Sequence, residues 1–87
     1  MTYFNSSADA VHYAKLETEK KGFEIDMQDW FTKINLGGKY SRLRPNVNEY
    51  KTFIIGLIKN GKEQRKCLSI TLYGMQSGKF ELTFYIN

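Results

Sequence analysis

From residue 50 onward, apolar and polar residues alternate with a period of two, which is typical of half-buried β-strands. Three runs show this pattern: YKTFIIGLI (50–58), EQRKCLSITLY (63–73) and KFELTFYI (79–86). Asn60-Gly61 lies between the first two runs, where an Asn-Gly pair strongly favours a tight hairpin. GMQSG (74–78) provides the next turn. The pattern predicts a meander of three antiparallel strands, and residues 39–43 are a candidate fourth strand.

The N-terminal third of the chain has helical spacing instead. Ser6 or Ser7 can cap a helix over about residues 7–21, which contain neither Pro nor Gly. Gly22 suits the position just beyond the end of that helix. The apolar stripe of the helix is narrow and made of small residues: Ala10, Val11, Ala14 and Thr18. We therefore expect this helix to lie close against whatever it packs on.

A second, shorter helix is predicted over about residues 27–35. Asp26 can cap its first turn, and both Asp26 and Asp29 suit the positive end of the helix dipole. Residues 37–38, a Gly-Gly pair, should end it. Its apolar residues recur at spacings of three and four: Met27, Trp30, Phe31 and Ile34.

The alternation also separates the two sides of the predicted sheet. One side is apolar: Phe53, Ile55, Leu57, Leu68, Ile70, Leu72, Phe80, Leu82, Phe84 and Ile86. The other side is polar and carries two tyrosines: Ser69, Thr71, Tyr73, Lys79, Glu81, Thr83 and Tyr85. Since the apolar side must be covered, we predict a single α+β domain over residues 1–87. In it, two N-terminal helices pack on one face of a three- to four-stranded antiparallel β-meander.

Size and composition exclude several classes of protein. A chain of 87 residues with 41% hydrophobic and 25% charged residues is typical of one ordered domain with a small core. It has one cysteine, Cys67, and no charged leader followed by an apolar run, so a cytoplasmic location is expected. The longest apolar run, at residues 53–58, is far shorter than the roughly 20 residues that cross a bilayer, so no membrane association is expected.

The sequence has no pattern of catalytic or metal-binding residues. His12 has no nucleophile at a recognisable spacing, and Cys67 has no base partner. A single His and a single Cys cannot form a structural zinc site, and the acidic residues lack calcium-loop spacing. Gly37-Gly38-Lys39 lacks the spacing of a phosphate-binding loop. We therefore expect a protein that is not an enzyme, with no catalytic residue, no metal and no cofactor.

Positive charge is concentrated in residues 38–66, which we call the basic block. It contains eight Lys and Arg residues against two Glu, whereas the first 37 residues contain six acids and four bases. One interpretation is that these charges only keep a hairpin tip soluble and protect strand edges. The other is that the loop over residues 39–51 and the hairpin tip lie side by side and form one positive surface for phosphates.

The separation of acids from bases favours phosphate binding, because a surface that only confers solubility would mix the signs. Arg42 and Arg44 would project to the same side of a segment that Pro45 holds extended, and a guanidinium group suits phosphate. Tyrosines offer stacking and no segment resembles a major-groove recognition helix, so single-stranded RNA is favoured over DNA. The predicted nucleic-acid-binding residues are Lys39, Tyr40, Arg42, Arg44, Tyr50, Lys51, Lys59, Lys62, Arg65 and Lys66.

A protein partner is an alternative of a different class. The module could bind and block a host enzyme, such as a defence nuclease, since interface hot spots favour Tyr, Trp and Arg. Trp30 and Phe31 could anchor such an interface, although their spacing favours a place in the core for both. The C-terminal strand could be a sheet edge, which would allow a second copy of the chain to pair with it.

Four segments resemble a known group of proteins: IDMQDWF (25–31), GGK followed by a Pro (37–45), KNGK (59–62) and LSITLYGMQSGKFELTFYIN (68–87). Their spacing resembles that of small accessory proteins encoded by tailed bacteriophages. The resemblance implies a protein of infection in the host cytoplasm that binds nucleic acid or blunts a host defence enzyme. The size and basic character are similar in kind to phage RNA-binding inhibitors of a host toxin ribonuclease. The resemblance implies no catalytic residue.

Overall fold

A computed structural model of the protein describes residues 2–34 and 44–87, and within these residues the chain forms two helices and five strands. In chain order the elements are β1 (Thr2–Phe4), α1 (Ser7–Lys20), β2 (Glu24–Ile25), α2 (Met27–Lys33), β3 (Tyr50–Lys59), β4 (Lys62–Gly74) and β5 (Phe80–Ile86). The helices precede the three long strands, so the predicted α+β class is confirmed.

The five strands form one antiparallel sheet in the order β1-β5-β4-β3-β2. The long strands β3, β4 and β5 are the predicted meander. The predicted number of strands is wrong, because β1 and β2 also join the sheet at its two sides. They are only three and two residues long, too short to show a period in the sequence. The candidate strand at residues 39–43 lies outside the described residues.

The sequence allows the C-terminal strand to be a sheet edge, and this holds only for its second half, because β1 pairs with residues 80–82 of β5. Thr2 lies opposite Leu82, and Phe4 lies opposite Phe80. The first half of β5 is therefore an internal strand. Pairing with a second copy of the chain stays a prediction, and it would have to use the part of β5 beyond residue 82.

Both turns of the meander form at the predicted residues. Asn60 and Gly61 have positive φ angles of 54° and 75°, which a two-residue turn between twisted strands requires. In the second turn, Gly78 has a φ of 87°, and the Met75 N–H donates to the Lys79 carbonyl over 3.0 Å. These local signals fix the register of the three long strands.

A bulge interrupts the β3–β4 ladder near the first turn. Gly56 pairs with Cys67 and Ile58 pairs with Glu63, so one residue of β3 lies opposite three residues of β4. Two of these three residues are Arg65 and Lys66 of the basic block.

Both helices begin at N-cap residues that the sequence predicts. The Ser6 hydroxyl accepts a hydrogen bond from the Asp9 N–H over 3.1 Å at the start of α1, and Gly22 has a φ of 92° just beyond its end. The Asp26 carboxylate accepts from the N–H groups of Gln28 and Asp29 over 3.1 and 3.2 Å at the start of α2. The Gly-Gly pair predicted to end this helix lies outside the described residues.

One apolar core joins both helices to one side of the sheet. Its fully buried residues are Ala10, Val11, Ala14, Ile25, Trp30, Ile34, Ile55, Leu57, Leu68, Ile70, Leu72 and Leu82. The small residues predicted for the stripe of α1 are all buried in it. Trp30 is confirmed as a core residue, but Phe31 is 54% exposed and Met27 is 55% exposed. The predicted place of Phe31 in the core is wrong, because the short α2 buries Trp30 and leaves the side of the helix that carries Met27 and Phe31 exposed.

The two helices dock on different parts of the sheet, and this differs from the simple packing that the sequence predicts. α1 contacts β1, β2, β4 and β5, whereas α2 contacts β3. Backbone and side chains of α2 bind the outer edge of β3 at Gly56. The Asp26 N–H donates to the Gly56 carbonyl over 3.0 Å, and the Gly56 N–H donates to Asp29 Oδ2 over 2.8 Å. Lys33 Nζ donates to the Ile54 carbonyl over 2.8 Å. Asp29 therefore serves the edge of β3 as well as the helix dipole.

The segment at residues 45–49 crosses the end of β4 at Gly74. The Asn48 N–H donates to the Gly74 carbonyl over 2.7 Å, and the Gly74 N–H donates to the Glu49 carbonyl over 3.0 Å. A Cβ atom at Gly74 would lie 2.9 Å from the carbonyl carbon of Asn46 and closer still to its oxygen. Only glycine permits this close approach of two backbones.

We expect Asp29→Ala to lower the free energy of unfolding by about 1 to 3 kcal/mol, because the Gly56 N–H would lose its acceptor. Asp29→Asn is the matched control: its amide oxygen can still accept this hydrogen bond, and the ion pair that it loses is partly exposed. Urea unfolding of both variants measures the difference. Equal losses in the two variants would contradict the role of Asp29 as the hydrogen-bond acceptor for the Gly56 N–H.

Replacing Gly74 by Ala should lower the free energy of unfolding by about 3 kcal/mol, because the methyl group would overlap the Asn46 carbonyl. Gly78→Ala is the control, since a Cβ atom there meets nothing within 4 Å. Its only cost is that of a side chain on a left-handed backbone, which should lower the free energy of unfolding by about 1 kcal/mol. Chemical denaturation compares the two. A smaller loss at Gly74 than at Gly78 would argue against the close crossing.

Candidate nucleic-acid interface

The side of the sheet that points away from the helix-covered core forms a broad surface, which we call the open face. It consists of Tyr3, Tyr50, Thr52, Ile54, Ser69, Thr71, Tyr73, Glu81, Thr83 and Tyr85. Tyr50 is 67% exposed, Ile54 54% and Tyr85 53%. Exposed aromatic and apolar groups this numerous on one side of a small domain are typical of a binding surface.

Three rows of side chains cross the open face because the strands pair in register. In the first row, Tyr50 lies beside Tyr73 with ring centroids 4.6 Å apart, and the Tyr73 hydroxyl donates to Asn48 Oδ1 over 3.1 Å. In the second row, the hydroxyls of Thr52 and Thr71 are 3.1 Å apart and share a hydrogen bond.

The third row places Ser69 between Ile54 and Tyr85. Ser69 is buried although its neighbours are exposed. The open face therefore combines tyrosine rings with short hydroxyl side chains.

The sequence predicts part of the open face. Alternation correctly places Tyr73 and Tyr85 there, and Tyr50 is in the predicted binding set. Tyr3 could not be found, because it joins the face only through the pairing of β1 with Glu81 on β5. The position of Ile54 could have been found, since it lies between the two inward residues at 53 and 55.

The described part of the predicted loop, residues 44–51, does not form one positive surface with the hairpin tip. Arg44 and Lys51 lie near the start of β3, whereas Lys59 and Lys62 flank the turn at its far end. Seven residues of extended strand lie between Lys51 and Lys59 and hold the two groups about 26 Å apart. They are far apart because β3 is the element that connects them. Lys39, Tyr40 and Arg42 lie outside the described residues.

Two of the predicted lysines belong to the helix side of the sheet. Lys51 lies opposite Leu72, a core residue, so it shares the inward row of β3. Lys59 Nζ lies 5.2 Å from the centroid of the Phe23 ring, a contact that stabilises the start of β2. Neither side chain points toward the open face, so neither is well placed to serve it.

The charges of the chain are paired unevenly. Three acids of the helices form ion pairs with lysines of the same helix: Lys15–Glu19 at 3.3 Å, Lys20–Glu17 at 3.5 Å and Lys33–Asp29 at 3.2 Å. Among the described residues from 44 onward, Lys59 forms no ion pair with a carboxylate but lies over the Phe23 ring. Five more cations there form no ion pair with a carboxylate: Arg44, Lys62, Arg65, Lys66 and Lys79. These cations are available to an anionic ligand at both ends of the sheet.

No cluster of catalytic type is brought together by the described residues. The His12 ring lies 6.1 Å from Trp30, and Cys67 is half-buried in β4. No group of three or more His, Cys, Asp or Glu residues that could hold a metal ion occurs in residues 2–34 and 44–87. The absence of enzymatic activity stays a prediction.

Comparison of the chain with protein-family models, with curated proteins and with solved structures finds no match. The resemblance to phage accessory proteins and the cytoplasmic location stay predictions. Neither helix of the described segments is long and apolar enough to cross a membrane.

Proposed function

We propose that this protein is a non-enzymatic binding module for single-stranded nucleic acid, with RNA favoured over DNA, and that it stacks bases on the open face. One observation supports the proposal: exposed tyrosines occupy the side of the sheet that no described helix covers, and cations without an ion pair lie at both ends of that sheet.

The tyrosines can bind bases by stacking, and this contact does not depend on the sequence of the nucleic acid. Stacking of a base on an aromatic side chain contributes about 1 to 3 kcal/mol, and sheets that bind single-stranded RNA stack two or three bases in this way. Tyr50 and Tyr85 are exposed and lie in the first and third rows, so they can hold different bases of one strand. The hydroxyls of Thr52, Thr71 and Thr83 between them can bind base edges or the ribose 2′-hydroxyl, and the latter contact favours RNA.

The cations supply phosphate contacts at the ends of the open face rather than on it. Arg44 and Lys79 lie at one end of the sheet, and Lys62, Arg65 and Lys66 lie at the other. A single strand that crosses the face can reach both groups because its backbone is flexible. A duplex hides the faces of its bases, so the tyrosines would contribute nothing to duplex binding.

A protein partner remains the second candidate, and one observation favours it. Met27 and Phe31 are both exposed and lie one turn apart on α2, where they form an apolar patch. Such a patch suits the hot spot of a protein interface. A module of this kind could block a host enzyme, in keeping with a role in phage counter-defence.

Binding to labelled single-stranded RNA should weaken as salt is raised from about 50 to 200 mM. Five phosphate contacts predict a slope of about −3.5 for log affinity against log salt. The triple variant R44Q/R65Q/K66Q should reduce the slope to about −1.4, whereas K15Q/K20Q/K21Q removes the same charge from α1 and should leave it unchanged. Fluorescence anisotropy measures both. Failure to bind RNA even at low salt would make the protein partner the leading candidate.

Tyr85→Ala should weaken RNA binding about tenfold or more, because the strand would lose one stacked base. Tyr85→Phe keeps the ring and should bind like the unchanged protein. Since Tyr85 is largely exposed, both variants should unfold within about 1 kcal/mol of the unchanged protein. Equal affinity in the Ala and Phe variants would show that bases do not stack at this position.

A further inference from the structure

A cleft of about 250 Å³ opens at the end of the sheet that also carries the Tyr50–Tyr73 pair. Four apolar side chains line it: Pro45, Val47, Met75 and Phe80. Pockets for drug-sized ligands occupy about 300 to 1,000 Å³, so this cleft is suited to one planar ring rather than to a larger molecule.

Gly78 helps to keep the cleft open, because it lines the cleft with backbone and has no side chain. Gly74 also lines the cleft, but the carbonyl of Asn46 lies where its Cβ atom would be. A methyl group at Gly78 would meet nothing within 4 Å, so the space above that residue is empty. A flat ring can therefore lie directly against peptide groups here, as it could not against a branched side chain.

Arg44 supplies the charge of the cleft. It is exposed, its guanidinium group lies 6.0 Å from the centroid of the Phe80 ring, and it forms no ion pair with a carboxylate of the described residues. Asn5 also lines the cleft and offers an amide that can bind a base edge. A planar guanidinium group can bind a phosphate with two parallel hydrogen bonds. The combination suits a ring that is joined to a phosphate.

The cleft lies at the same end of the sheet as the Tyr50–Tyr73 row but opens on the other side. Gly74 and Phe80 pair with each other in the inward rows, and the segment at residues 45–49 crosses the end of β4 with Val47 bridged to Gly74. A single strand stacked on the open face would therefore have to turn around the end of the sheet to reach the cleft. Its terminal nucleotide is the one that can make this turn.

We infer that this cleft is a subsite for the terminal nucleotide of a bound single strand. The base enters between Val47 and Phe80, and a terminal phosphate binds the Arg44 guanidinium group. The inference rests on the proposed function, because the rest of the strand has to lie on the open face. A phosphate at either the 5′ or the 3′ end has the required chemistry.

The test compares short single-stranded RNA oligonucleotides that carry a 5′-phosphate, a 3′-phosphate or only hydroxyl ends. One phosphorylated end should raise the affinity about fivefold to tenfold, and which end does so identifies the polarity of the strand. The gain should disappear in Arg44→Gln and in Val47→Phe, whose larger ring would fill the cleft. It should persist in Arg65→Gln, which removes one charge at the far end of the sheet.

The possible failures are distinguishable. Oligonucleotides that bind with the expected salt dependence, but equally well with all three kinds of end, would overturn the terminal subsite and leave the proposed function standing. No binding by any oligonucleotide would overturn both. Val47 is 55% exposed, so Val47→Phe should fold, and urea unfolding checks this. If it does not fold, the exposed Arg44→Gln decides the question alone, because a gain that survives in it overturns the subsite.

Discussion

Two short helices are the only helices in the described residues, and they reach one side of a five-stranded sheet. The inward side chains of β3, β4 and β5 require this cover because they are uniformly apolar. α1 provides most of it, and its stripe of small residues allows a close approach to β5 and β4. No helix of the described residues lies over the outward rows, so the described structure leaves them open to water. Threonines suit such a surface, and the exposed tyrosines on it are the observation from which the proposed function is argued.

Parts of both edges of the sheet are protected. Asp26, Asp29 and Lys33 bind backbone groups of β3 at Ile54 and Gly56, and β1 covers the first half of β5. Unpaired edge groups at these places would otherwise attract other strands. The part of β5 beyond residue 82 is not covered by β1, so pairing with a partner strand is restricted to it on that side of the sheet.

Local signals predicted the parts of the fold that local interactions determine. Asn60-Gly61 needs only its own backbone angles to form a turn, and Asp26 needs only its neighbours to cap α2. Pairing between segments that are far apart in the sequence leaves no such local signal. For this reason β1 was not predicted, and Tyr3 could not be placed on the open face. The grouping of basic residues in the sequence was misleading for a similar reason. Arg44 and Lys62 are both in the basic block, but the extended strand β3 lies between them and holds them apart.

The pairing of β1 with β5 has a consequence for the order of folding. It joins Thr2–Phe4 to residues 80–82, near the opposite ends of the described sequence, so its closure entropy is among the largest in the molecule. The β3–β4 hairpin closes through a two-residue turn and can form early. During synthesis, α1 is made long before β5, against which it packs. The part of α1 that packs on β5 therefore stays unburied until β5 has left the ribosome.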